Sequence, residues 1–199
     1  MKTSRDRRHQ REKKETLRSI LLGNLFSFLK ITLLCVISVS AFVNFVIRPV
    51  RVSGVSMFPT IKDGEFALTN AYDARFGSIE RGDVVVAHEE KYLHAMVVKR
   101  VIAIPGDRIF AHNDIVYVNG EPIDEPYLQN EWSIVIRDSE EVFTENFEEV
   151  KLGEDEYWLM GDNRINSIDS RHFGPFSRKD IKGKSLFFLL PFERFGDVE

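Results

Sequence analysis

The chain has 199 residues and 23.0 kDa, enough for one modest domain plus an appendage, and 43% hydrophobic against 29% charged residues describes a folded chain rather than a disordered one. The net charge of -4 conceals an asymmetry: residues 1–50 hold 10 Lys+Arg against 3 Asp+Glu, and residues 51–199 hold 17 against 28. An acidic body excludes the broad basic face of a nucleic-acid binder, and a single cysteine, Cys35, excludes an intrachain disulfide and a cysteine metal cluster.

The chain opens with "MKTSRDRRHQREKK", a basic arm expected over residues 1–18. Behind it, Ile20 to Ile47 is apolar apart from Asn24, Lys30 and Asn44. The uninterrupted part, Ile31 to Ile47, would span roughly 26 Å as a helix, short of the ~30 Å bilayer core. Adding the residues before Lys30 supplies the length, with the Lys30 stem snorkelling toward the headgroups. A membrane anchor is therefore expected over 19–48. Positive charge beside such a helix stays in the cytoplasm, which places residues 49–199 outside. Ser38 and Ser40 have the spacing of a signal-peptide cleavage site, but apolar residues continue through Ile47, so the segment reads as uncleaved.

After Arg48 the pattern changes to short apolar runs broken by Gly, Pro, Asn and Asp. "EFALTN", "DVVVAH", "AMVVKRVIAI", "DIVYVNG", "EYWLMGD" and "KSLFFLLPF" read as strands. Asn119-Gly120 in "VYVNGEPI" suits a type I′ hairpin turn. The expected fold is mostly β, a folded antiparallel structure spanning 49–199, with a small loop-rich subdomain at about 108–156 where the sequence is acidic and poorly patterned.

"VSGVSMFPT", residues 52–60, places Ser56 between Gly54 and Pro59, in a setting that neither a surface turn nor a core strand requires. Serine is a weak nucleophile at neutral pH and needs a base. Among the histidines, His172 in "DSRHFG" is the one to weigh, with Asp169 or Asp162 as its orienter. Lys99 is the other candidate. In "AMVVKRVIAI", strand alternation puts Lys99 with Val97, Val101 and Ala103, and Arg100 on the opposite face. A free lysine is neutral at pH 7 only about once in 2,500, and apolar surroundings raise that fraction by disfavouring the ammonium. An edge-strand lysine that guards against aggregation would have the same local sequence.

Four blocks in order settle the comparison of motifs: "SGVSMFPTI", "RGDVVV", "KRVIAIPGD" and "GDNRINSIDSRHFG". With the basic arm and apolar anchor ahead of them, they resemble the bacterial type I signal peptidases over nearly the whole chain. The resemblance implies a coiled antiparallel β catalytic domain with a small β subdomain and no cofactor or metal. It implies a serine endopeptidase that removes signal peptides from exported preproteins after small-x-small motifs, at the lipid bilayer and beside the secretion translocon. Ser56 would be the nucleophile and neutral Lys99 the base. Ser167 would orient the Lys99 amine, and Asp162 and Asp169 would pair with Arg100 and Arg171 as supports. The substrate would bind as an extended strand. An apolar rim that includes Met57 and Phe58 would touch the membrane, unless those two pack in the core. One departure concerns the oxyanion: some members carry a hydroxyl two places before the nucleophile, where this chain has Gly54, as many Gram-positive members do. The Ser56 backbone N–H and the Gly54 region would then serve, with Ser53 one position off. A non-catalytic homologue acting in pilus or surface-protein assembly should lack Ser56 or Lys99, and this chain has both. A self-cleaving repressor would need a helix-turn-helix signal that is missing here.

Overall fold

A computed structural model describes residues 4–90, 92–139 and 142–197; residues 1–3 of the expected basic arm lie outside the described residues. Contacts divide the chain into two compact units, Met1–Val43 and Asn44–Glu199. The first is one helix: α1 runs Ser4–Phe45, and its Arg18–Phe45 stretch, 28 residues, is long and apolar enough to cross a membrane. At ~1.5 Å per residue that stretch exceeds a ~30 Å hydrocarbon core.

The second unit is antiparallel throughout. In chain order it comprises β1 (Ile47–Arg51), β2 (Phe66–Asn70), the short α2 (Ala71–Phe76), β3 (Val84–Glu89), β4 (Ala95–Ala103), β5 (Arg108–His112), β6 (Ile115–Val118) and β7 (Glu121–Pro122). There follow α3 (Glu131–Ser139), β8 (Phe147–Lys151), β9 (Glu156–Met160), α4 (Ser170–Phe173), β10 (Phe176–Ser177), β11 (Ile181–Leu190) and β12 (Gly196–Asp197). The larger sheet has the order β1-β2-β11-β3-β4-β9-β10, with β12 on β11; the smaller has the order β7-β6-β5-β8. Asn119 and Gly120 both take positive φ, 56° and 85°, in the β6–β7 turn, as the type I′ hairpin requires.

β3 explains where the core lies. Its run of valines is buried on both faces: Val85 and Ala87 pack with Val101, Leu159 and Ile181, while Val84 and Val86 pack with Met57, Ile61, Leu186 and Phe188. β4 pairs alongside it, Lys99 opposite Val85 and Arg100 opposite Val84, so the two charges of β4 lie on opposite faces of the sheet. A third cluster joins Ile109, Val116 and Val118 of the smaller sheet to Trp158 and Met160 of β9. The segment read as loop-rich contains α3, with Asn130 capping its start by accepting from the Ser133 N–H at 2.9 Å.

Met57 belongs to the core. It is 2% exposed among Val52, Ile61 and Ala67, so its side chain has no surface to offer a bilayer, and the expectation of a membrane contact there is corrected. Phe58 is half-buried and packs edge-on against Trp132 of α3, with ring centroids 5.2 Å apart.

Candidate active site

Ser56 lies in a turn fixed from several sides. The Val52 N–H donates to Glu65 O at 2.9 Å, the Phe58 N–H donates to Val55 O at 3.0 Å, and the Ile61 N–H donates to Met57 O at 2.9 Å. Gly54 has φ +99°, which disfavours any side chain, and its N–H is held by Asp63 Oδ1 at 2.9 Å. With Met57 sunk into the core, the neighbouring Ser56 is half-buried and Val55 is exposed. Among the described residues the Ser56 N–H donates to no protein acceptor.

Lys99 is 2% exposed on β4, cross-strand from Val85 and on the face of Val101, each 0% exposed. Burial pushes its amine down to about 8 from the ordinary 10.5; the Asp169 charge opposes that, Arg171 assists it, and Asp162 opposes it. Its Nζ donates to Ser167 Oγ at 3.1 Å. The Ser167 hydroxyl in turn donates to Asp169 Oδ2 at 2.7 Å. That second bond commits the hydroxyl proton, so Ser167 can only accept from the lysine. A neutral amine with one N–H so engaged keeps its lone pair directed elsewhere.

Asp169 is fully buried and surrounded by donors. Arg171 approaches both oxygens, at 2.9 Å from Nε and 2.9 Å from Nη2, and the Gly161 N–H adds a bond of 3.0 Å. Burial pushes the carboxyl up, but the Arg171 hydrogen bond and charge, the Gly161 N–H and the Ser167 hydroxyl outweigh it and hold the pKa below the ordinary range. Arg100, on the opposite face of β4, meets polar partners and an aromatic ring. It forms a two-pronged pair with Asp162 (2.9 and 2.7 Å), donates to Gly82 O at 2.8 Å, and stacks over Tyr127 at 4.0 Å.

The loop carrying Ser167 and Asp169 closes onto the Ser56 turn through residues given no individual role by the sequence reading. The Asn163 N–H donates to Ser56 O at 3.0 Å and its side-chain amide donates to Val55 O at 3.0 Å. A Cβ at Gly161 would overlap both the Ser56 carbonyl and the Ser167 hydroxyl, so only glycine lets the two serine segments meet there. Arg164, wholly buried, pairs with Glu125 of the smaller-sheet segment and donates to Thr144 Oγ1 at 3.3 Å and to Gly161 O at 3.0 Å. The structure thus gathers Ser167, Asp169 and Arg171 around Lys99, puts Arg100 on Asp162, and joins both groups to the Ser56 turn. Ser53 is exposed, His172 is exposed, and no histidine bonds to Ser56 or Lys99 among the described residues.

Comparison with known proteins places the chain in a family. The family described as signal peptidase, peptidase S26, matches residues 25–190. Signal peptidase I S of Bacillus subtilis (strain 168) is 39% identical over 150 residues, 75% of this chain and 80% of that protein. Signal peptidase IB of Staphylococcus aureus (strain Mu50) is 37% identical over 159 residues, 76% of this chain and 82% of that one. A crystal structure of a signal peptidase I from Enterococcus faecalis V583 aligns with a TM-score of 0.46 and 27% identity, covering 53% of this chain and 95% of that one. With a family match over residues 25–190 and relatives at 37–39% identity across about three quarters of its length, this chain belongs to the type I signal peptidases, serine endopeptidases of the peptidase S26 family.

Proposed function

We propose that the chain is a membrane-anchored signal peptidase in which Ser56 is the nucleophile and neutral Lys99 the general base. The observation that carries this reading is the Lys99 amine: buried, pushed down to about 8, and held through Ser167 by the loop that closes over Ser56. At that value about a tenth of the amine is neutral at pH 7, about two hundred times the fraction of a free lysine.

Each step follows from these groups. Ser56 Oγ attacks the scissile carbonyl carbon while its proton passes to the Lys99 lone pair. The carbonyl oxygen takes the negative charge, and the Ser56 N–H is a donor for it. When the C–N bond breaks, the leaving amine takes the proton from the Lys99 ammonium. A water molecule then gives a proton to Lys99 as its oxygen attacks the acyl-serine carbon; the ester C–O bond breaks, the Lys99 ammonium returns the proton to Ser56 Oγ, and the signal peptide leaves with a new carboxyl terminus. Asp162, Asp169, Arg100 and Arg171 touch no reacting atom in this scheme; they position Ser167 and the loop. The substrate enters as an extended strand read by its backbone, and small residues flank the cut at the first and third positions before it. Exposed Val55 and Ile168, 50% and 53% exposed beside Ser56 and Ser167, are apolar surface on which such a strand can lie.

The apolar Arg18–Phe45 helix anchors the chain in the bilayer, with the basic arm in the cytoplasm and the β unit outside, where exported preproteins emerge from the translocon. The test is incubation of the detergent-solubilised chain with a signal-peptide-bearing preprotein, followed by sequencing of the new N-terminus. A single cut after a small-x-small motif, absent with Ser56→Ala, is the expected result. Cleavage that persists in Ser56→Ala, or no cleavage by the wild type, overturns the assignment.

A further inference from the structure

The β unit holds a second feature that the peptidase chemistry does not use. A cavity of about 450 Å³ has ten lining residues, Phe45 among them, and five are cations: Arg48, Arg75, Arg178, Lys179 and Lys182. Four of the five belong to residues 51–199, where acidic residues outnumber basic ones 28 to 17. None of the five has a carboxylate within ion-pair distance among the described residues. The cluster is also built rather than loose. Arg178 is fixed by donating to Gly77 O at 2.6 Å and to the Tyr157 hydroxyl at 3.3 Å, while its Nε–H is buried without an acceptor. Arg48 donates to Asn44 O at 3.2 Å, and Lys182 to Lys179 O at 2.6 Å.

Lys179 and Lys182 also border a second cavity lined by Glu89, Glu90 and Asp180, so the arginines are the cations this cavity holds to itself. Guanidinium groups around a cavity with no carboxylate at ion-pair distance call for an anion, and their forked donors suit a phosphate best. The position selects its source. Phe45 is the last residue of the apolar stretch, so residues 44–48 are where the chain leaves hydrocarbon if that stretch spans a bilayer. On α2, which supplies Arg75, Tyr72 and Phe76 are 55% and 68% exposed with ring centroids 5.1 Å apart, an aromatic pair of the kind found at headgroup depth. We propose that this cavity binds the phosphate of an anionic phospholipid headgroup of the phosphatidylglycerol type. The proposal rests on the membrane reading above. It is independent of the anchor's orientation, because the cavity belongs to the unit that follows the helix on either reading.

The test uses the full-length chain in neutral detergent with equimolar phosphatidylglycerol and phosphatidylcholine, and native mass spectrometry to read which lipid is retained. Each Lys or Arg facing an anionic headgroup is worth about fivefold in binding, so the wild type should favour phosphatidylglycerol by about tenfold or more. Arg75→Gln, an exposed helix position, should reduce that preference several-fold, and Arg75→Gln/Lys179→Gln/Lys182→Gln should bring it to near parity with an unchanged unfolding midpoint. Equal retention of the two lipids by the wild type, or a preference that both variants keep, overturns the proposal. Loss of the bound lipid to millimolar inorganic phosphate assigns the cavity to a free anion and overturns the lipid. Flotation with pure phosphatidylcholine vesicles separates the two readings: a wild type that does not float sinks the anchor and the site together, and one that floats without a phosphatidylglycerol preference sinks the site alone.

Discussion

Replacing Lys99 by arginine keeps the charge and nearly the length of the side chain but removes its ability to lose a proton in the working range. Lys99 is 2% exposed, with its amine pushed down to about 8 chiefly by burial. The neutral form is the working base, so cleavage should rise about tenfold per pH unit below pH 7 and level off above pH 8. At pH 6 the wild type should run at about a hundredth of its plateau. A positioned general base is worth roughly 10²–10⁴ in rate, so Lys99→Arg should lose at least that much at every pH. Asp169 provides an internal check. Its charge raises the Lys99 pKa, so Asp169→Asn should move the midpoint to lower pH while lowering the plateau, because Ser167 loses its acceptor. The assay is the initial rate on one preprotein from pH 6 to 9, with each variant checked for folding by circular dichroism. A Lys99→Arg enzyme within tenfold of wild type, or a midpoint near that of a free histidine (about 6.5) that disappears in His172→Ala, would refute the lysine base.

Lys99→Met should stabilise the fold by on the order of 3 kcal/mol at pH 7, because a lysine whose folded pKa lies below its unfolded one costs stability in full below about pH 8; the gain should fade as pH rises to 10.5, read from denaturant midpoints across that range. Gly161→Ala forces apart the Ser56 carbonyl and the Ser167 hydroxyl, and should lower kcat by about 10² or more while KM changes little. Asn163→Ala removes the amide that holds Val55 O and should slow cleavage by roughly tenfold without moving the pH midpoint. Glu125→Gln leaves the wholly buried Arg164 without its charge partner and should cost about 3–5 kcal/mol in chemical denaturation.

Six strands, β2, β3, β4, β6, β9 and β11, were legible as apolar runs between turn residues, and in "AMVVKRVIAI" a period of two separates Lys99 from Arg100, which pair with successive residues of β3; β1, β5 and β8 were not, their runs being short and rich in charge. The β6–β7 turn was legible because its two positive φ values are a property of Asn119-Gly120 themselves. α3 was not, because apolarity does not mark its buried face: Ile134 and Val135 are 51% and 57% exposed, while Ser133 is buried and Trp132 packs inward on Phe58 and Phe143. Met57 was ambiguous because a Gly-x-x-Met-Phe-Pro turn gives no sign of which side chain enters the core. In the candidate site, the block "GDNRINSIDSR" was visible as a unit, but the work of Asn163 and Arg164 was not. Asn163 bonds a carbonyl 108 positions away and Arg164 pairs with a glutamate 39 positions away, contacts that only the closed fold creates.

The two arginine–carboxylate pairs of the loop have a role beyond support. Buried ion pairs contribute little net stability against well-packed apolar groups, so their presence calls for another reason. Here the site needs a carboxylate to take the Ser167 hydroxyl proton and fix the hydroxyl toward the lysine. A bare carboxylate at that place would defeat the purpose, since its charge favours the ammonium form of Lys99, as the Asp169 and Asp162 contributions do. Pairing Asp169 with Arg171 keeps the acceptor geometry and offsets part of its field at Nζ, while Asp162 is held by its own partner, Arg100 of β4. Arg171 itself pushes the Lys99 amine toward neutrality. Valine burial alone would lower the lysine without aiming it, and carboxylates alone would aim it while keeping it protonated. The paired arrangement does both, which is why the loop's charges occur in opposite pairs within a core that apolar residues could otherwise have filled.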